Sequence, residues 1–96
     1  MIHELKNITP FISFDFGITQ TQAAVSQLVT IWLSTLYNQE AYTFVLSAPG
    51  AVVTKITNYE YFVAYPSAGS YQVSLTVVNT EKTTNLVSNI LNLTIT

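Results

Sequence analysis

The chain has 96 residues, of which 49% are hydrophobic, 8% are charged and none is cysteine. This length fits one domain, and the absence of cysteine excludes disulfides and thiolate metal sites. About a quarter of the residues in an ordinary soluble domain are charged, so this chain has unusually little charge. Its three isolated lysines, without any arginine, exclude the basic cluster that nucleic-acid binding needs.

Residues 1–10 fit a strand pattern least well, and we predict that they form an N-terminal arm or an edge strand before a domain of residues 11–96. Residues 1–6 lack the basic and apolar regions of a secretory signal, and no apolar run is long enough to span a bilayer. We therefore expect synthesis in the host cytoplasm and no membrane partner. Next, Ile12, Phe14 and Phe16 alternate with polar residues and predict a strand that ends at Gly17.

Residues 22–37 allow two interpretations. Six apolar residues fall at helical spacing: Val25, Leu28, Val29, Trp32, Leu33 and Leu36. Val29, Ile31 and Leu33 also alternate as in a strand, and the β-branched content is high. The strands predicted on both sides favour a strand, with a helix as the alternative.

The middle of the chain predicts two or three strands. Tyr42, Phe44 and Leu46 alternate with Thr43 and Val45, and a Pro-Gly turn follows. Residues 52–65 predict one or two strands, broken near residue 58. One face of this segment has four apolar or aromatic residues: Tyr59, Tyr61, Val63 and Tyr65.

The clearest strands lie in the last third of the chain. Tyr71, Val73, Leu75 and Val77 alternate with polar residues and should face a core. Residues 79–85 form the longest polar run and predict a turn, after which residues 91–95 alternate again. About seven short strands separated by turns are typical of an all-β antiparallel sandwich.

The segment from Tyr65 to Asn79 resembles the end of a PKD-type immunoglobulin-like domain. It has a Tyr, a short turn with Gly, a second Tyr, and then alternating Val, Leu and Val. The resemblance implies an immunoglobulin-like sandwich in which Tyr71 is the corner tyrosine, with its hydroxyl bonded to backbone across the turn. The chain departs from the family at residues 47–50, which replace a Gly-Asp-Gly element, and at Phe44, which replaces the usual Trp.

The inventory of reactive side chains argues against catalysis. His3 is the single histidine, so no Ser-His-acid set can be assembled with confidence. The five acids are far apart in sequence: Glu4, Asp15, Glu40, Glu60 and Glu81. Calcium would need several oxygen ligands at short spacing. We expect a non-enzymatic protein without catalytic residues, metal or cofactor.

Four aromatic residues are candidate interface anchors: Trp32, Tyr59, Tyr61 and Phe62. In the strand interpretation Trp32 points outward among small polar residues, as an interface anchor or a sugar-stacking platform would. A bulge or a helix would turn it inward instead. Residues 59–65 have aromatics on both faces, which indicates either a face covered by another chain or a protected sheet edge.

Three classes of function remain open. Free-standing immunoglobulin-like domains are common as capsid decoration or auxiliary capsid proteins, so the resemblance implies a phage virion protein that binds a repeating protein surface. The alternative is a carbohydrate-binding or adhesive module at a bacterial cell surface. A cytoplasmic regulatory or chaperone-like domain is the third. Because few charges give little colloidal repulsion, self-association is also expected of the free protein.

Overall fold

A computed structural model describes residues 9–35, 37, 42–79 and 85–96 of the chain. Within them a single 3₁₀ turn, Asp15–Gly17, and nine strands are present. The strands are β1 Ile12–Ser13, β2 Gln20–Ala23, β3 Val29–Leu33, β4 Tyr42–Ser47, β5 Val52–Thr57, β6 Glu60–Ala64, β7 Gly69–Asn79, β8 Asn85–Val87 and β9 Leu91–Ile95. Most of the predicted arm and most of the polar run at 79–85 lie outside the described residues.

The strands form two sheets packed face to face. The first has the order β1-β3-β6-β5, and the second has the order β2-β9-β7-β4, with β8 also paired to β7. All pairs are antiparallel except β2 with β9, which is parallel. This is the strand order of an immunoglobulin-like sandwich, and the predicted all-β fold is confirmed. Nine strands replace the predicted seven because the first and last strands of the fold are each divided in two.

The core lies between the two inner faces. On β7, Val73, Leu75 and Val77 are fully buried, as the period-two pattern predicts, while Tyr71 is half-buried at the strand's start. Residues in the other strands or next to them complete the core: Ile12, Phe14, Ala23, Ile31, Leu33, Tyr37, Phe44, Tyr61, Val63, Tyr65, Leu91, Leu93 and Ile95. Strands with one buried face thus supply nearly all the apolar burial that stabilises the domain.

One end of the sandwich is closed by a corner at Tyr71. Its hydroxyl donates a 2.8 Å hydrogen bond to the carbonyl oxygen of Ser67, the backbone contact across the turn that the resemblance implies. Its ring stacks on Tyr65 with centroids 4.0 Å apart. Gly50 has φ +87°, and a Cβ there would come within 3.3 Å of the Tyr71 ring. The positive φ favours glycine at position 50, and a Cβ there would also press against the ring.

The Asn89 side chain links β1 to the segment between β8 and β9. Its side-chain amide accepts a hydrogen bond from the Ile12 backbone N–H at 2.8 Å and donates one to the Ile12 carbonyl at 2.9 Å. Ser88, next to it, accepts from the Leu75 N–H through Oγ at 2.8 Å. These bonds satisfy backbone groups where the last strand of the fold is interrupted between β8 and β9.

The structure corrects the prediction for Phe16 and decides between the alternatives for residues 22–37 and 59–65. Phe16 does not continue the alternation of Ile12 and Phe14 into the core, because the chain turns at Asp15–Gly17 and leaves Phe16 fully exposed. The described part of residues 22–37 is not helical; it contains the end of β2, a turn and β3. In addition, β6 lies between β3 and β5, so its aromatics do not protect a sheet edge.

Candidate functional site

The outer face of the first sheet carries a group of apolar side chains beside threonines and Glu60. Five residues define this apolar face: Leu28, Trp32, Val52, Phe62 and Ala64. Leu28 is 64% exposed, Val52 65% and Trp32 39%. Exposed apolar residues are ordinary when scattered, but a contiguous group on one sheet face indicates an interaction surface.

The local strand geometry places Trp32 on this face. Its neighbours Ile31 and Leu33 are buried, so the alternation of β3 turns the indole to the outside. The structure thus selects the outward orientation of Trp32 over the inward one. Thr30 lies opposite Phe62 in the β3–β6 register, which makes Trp32 and Phe62 diagonal neighbours on one face.

Asp15 fixes the indole at the rim of the apolar face. The Trp32 Nε1–H donates a 2.7 Å hydrogen bond to Asp15 Oδ1. Asp15 is presented by the 3₁₀ turn that follows β1, next to β3. The one polar group of the indole is thereby satisfied within the chain, and the apolar ring surface is left for a partner.

A groove of about 290 Å³ borders the apolar face between the 3₁₀ turn and the loop before β3. Phe16, Ile18 and Leu28 are exposed at its rim. Phe16 is fully exposed and has φ 65°, and Ser26, in the turn before β3, has φ 64°. A bulky residue in the left-handed region costs about 1–3 kcal/mol, and such conformations cluster at binding sites. An exposed Phe held this way is the strongest local sign of function.

The outer face of the second sheet differs in character. It carries a groove of about 740 Å³ whose lining includes amide and hydroxyl side chains and no charged one. Gln20, Asn92 and Gln72 occupy one row across β2, β9 and β7. Gln72 Nε2 donates to Asn92 Oδ1 at 3.4 Å, a long bond that leaves most of their capacity open. The two faces of the sandwich therefore offer different chemistry.

Two of the four predicted interface residues belong to the interior. Tyr61 is 1% exposed, and its hydroxyl donates a 2.8 Å hydrogen bond to the Asn58 carbonyl. Tyr59 is half-buried at the end of the core, where its ring lies 5.8 Å from that of Phe44 and its hydroxyl donates to the Tyr37 carbonyl at 3.0 Å. Both point inward because they share the face of the buried Val63. Trp32 and Phe62 are the predicted anchors that the structure brings together.

The tyrosines with raised pKa values belong to the core and not to the candidate site. Burial, with a smaller contribution from Tyr59, raises the pKa of Tyr61 from 10.0 to about 12. Burial likewise raises the pKa of Tyr37 to about 12, with smaller contributions from Tyr42 and Tyr59. These hydroxyls stay neutral at physiological pH and lie at the end of the core, away from the apolar face. They act through packing.

Residues that sequence reasoning missed at this site are Phe16, Leu28 and Asp15. Comparisons of the chain with protein-family models, curated proteins and solved structures found no match. Among the described residues, no group of three His, Cys, Asp or Glu side chains could hold a metal ion, and no helix is long and apolar enough to cross a membrane. The properties of the two sheet faces are therefore the basis for assigning a function.

Proposed function

We propose that this protein is a non-enzymatic structural component of a large assembly, a capsid decoration or auxiliary capsid protein of a phage virion. The observation that carries the proposal is the apolar face that contains Trp32 and Phe62, with the exposed Phe16 at the rim of the adjoining groove. A freely diffusing domain would gain nothing from these residues and would risk aggregation. Bound to a protein surface, they become the buried anchors of an interface.

The charge content supports a permanent rather than a transient contact. With 8% charged residues, long-range steering and salt-dependent attraction are weak. Most of the affinity must then come from short-range contacts, chiefly apolar burial and hydrogen bonds. A standard interface takes about 800 Å² from each partner, and the domain has 5777 Å² of accessible surface. One sheet face is large enough for such a contact.

The choice of a virion rests on the resemblance to PKD-type immunoglobulin-like domains together with this surface. A repeating protein shell offers many identical sites, so a small domain with one apolar face can be held at each of them. The protein would bind the shell as a structural component and would catalyse no reaction.

The proposal is tested by adding the purified protein to phage particles or shells that lack it, at about 50 mM and about 500 mM salt, a range over which exposed ion pairs become strongly screened. We expect stoichiometric binding at both salts. Trp32→Ala should weaken binding by at least about 2 kcal/mol, whereas Gln72→Ala, on the second sheet, should have little effect. Failure to bind at the lower salt, or loss of binding at the higher salt, would contradict the proposal.

A second candidate function, carbohydrate binding or adhesion, is favoured by one observation. The groove on the second sheet combines amide and hydroxyl groups with Pro49 and Ile90 and has no charged lining residue. Such groups both donate and accept hydrogen bonds, as a neutral polyhydroxylated ligand requires. Binding of a neutral polysaccharide that Gln72→Ala abolishes, with no binding to shells, would support this function in place of the first.

A further inference from the structure

Two carboxylates flank Trp32 on the apolar face, one on each side of β3. Asp15 follows β1 and accepts the indole hydrogen bond at 2.7 Å. Glu60 lies directly opposite Trp32 in the register of β3 with β6, so its side chain shares the outer face. Glu60 is also half-buried. The single tryptophan of the chain thus lies between two anionic groups.

The structure provides no cation beside these carboxylates among the described residues. Lys55 is the one cationic side chain in that part of the chain. It lies opposite Tyr61, on the inner side of β5, and its Nζ is 3.4 Å from the Phe44 carbonyl oxygen on the second sheet. Lys55 therefore extends away from the apolar face and cannot neutralise it.

Covering this face has an electrostatic consequence. A partner that brought only apolar groups would bury two carboxylates that have no countercharge among the described residues, and a buried charge without a countercharge costs several kcal/mol. A partner that brings a cation avoids this cost. Charge complementarity, together with the aromatic ring between the acids, therefore decides the chemistry of the partner.

We infer that the apolar face accepts a cationic side chain of its protein partner, stacked on the Trp32 ring between Asp15 and Glu60. This inference rests on the proposed function, since it names the chemistry of the partner at the same surface. A guanidinium suits the site best, because it is planar, stacks on aromatic rings and bonds carboxylates through two N–H groups. Asp15 Oδ1 holds the indole, and the other carboxylate oxygen can accept from the cation.

The site can be probed without the partner. We would titrate the full chain with acetyl-arginine amide and, as a matched uncharged probe, acetyl-citrulline amide, and follow the NMR signal of the Trp32 indole N–H. Arginine should shift this signal saturably, with an affinity about fivefold or more above that of citrulline. Glu60→Gln leaves the indole hydrogen bond untouched and should weaken arginine binding by about threefold, as should Asp15→Asn, because each removes one partner of an exposed ion pair. Thr43→Ala, on the second sheet, should leave it unchanged.

Equal shifts with arginine and citrulline, or arginine binding that is unchanged in both Glu60→Gln and Asp15→Asn, would overturn the inference. The result is separable from the test of the proposed function. Shell binding that persists while the two probes bind alike would refute the cationic contact and leave docking intact. Selective arginine binding without any shell binding would support the contact and refute the capsid role.

Discussion

The Trp32 Nε1–H donates a 2.7 Å hydrogen bond to Asp15 Oδ1, which joins the exposed tryptophan to the 3₁₀ turn that presents Phe16. The bond orders the indole on β3 and the 3₁₀ turn after β1 relative to each other, which neither element could do alone. An anchor whose side chain is already fixed loses less entropy when a partner covers it. The hydrogen bond thus prepares the apolar face for binding.

Asp15→Ala should therefore loosen the indole more than it destabilises the fold. The bond is exposed, so its loss should lower the free energy of unfolding by at most about 1 kcal/mol. NMR relaxation of the indole N–H should report increased motion, and Asp15→Asn, which keeps an acceptor oxygen, should restore part of the order. A loss above about 3 kcal/mol would instead identify Asp15 as a main determinant of stability.

The core prediction concerns Leu75, which is fully buried. Leu75→Ala should lower the free energy of unfolding by about 2–5 kcal/mol, because it removes buried methyl groups and leaves a cavity. Val45→Ala, on the neighbouring strand and 57% exposed, is the matched control. It should stay within about 0.5 kcal/mol of wild type in urea unfolding. Equal effects of the two variants would contradict the assigned strand phase.

Tyr71 and Tyr65 provide a matched pair of stacked tyrosines. Tyr71→Phe removes the hydrogen bond to Ser67 and should cost about 1 kcal/mol. The Tyr65 hydroxyl is buried and has no hydrogen-bond partner among the described residues. Tyr65→Phe should therefore be neutral or stabilising, because it removes an unsatisfied polar atom. If urea unfolding showed Tyr65→Phe to be the more damaging change, the corner would not act as described.

Alkaline pH should destabilise the fold through its buried tyrosines. Burial raises the pKa of Tyr61 and Tyr37 from 10.0 to about 12, so the folded state holds these protons more tightly than the unfolded state. Their contribution is complete below pH 10 and is lost as the pH rises toward about 12. Urea midpoints measured across this range should fall, and Tyr61→Phe should reduce the fall. A midpoint constant up to about pH 12 would contradict the pKa shifts.

The sequence predicts the fold better than the site. Val73, Leu75 and Val77 are buried as predicted. In a strand with one solvent-exposed face, apolar and polar residues alternate clearly along the sequence. The pattern fails at Phe16, since alternation of side chains contains no information about a chain reversal in the left-handed region. Asn89 gives no local signal at all, because its partner, Ile12, is 77 positions away.

The ambiguity of residues 22–37 has a physical cause. Val29, Ile31 and Leu33 face the core or its margin, while Leu28 and Trp32 face outward. Apolar residues on both faces of a strand produce the spacing of an amphipathic helix. The two competing periodicities of residues 22–37 therefore arise because this strand has apolar residues on its outer face as well. A single sequence cannot distinguish such a strand from an amphipathic helix.

Oxidative footprinting of the protein, free and bound to particles, tests the docking of the apolar face most directly. Mass spectrometry would report the reactivity of Trp32, Leu28 and Phe16 at this face and of Val45 and Val87, which are 57% and 53% exposed on the second sheet. We predict that binding protects the first group and leaves the second reactive. Protection of Val45 and Val87 with unchanged reactivity of Trp32 would contradict the assignment of the first sheet as the docking surface.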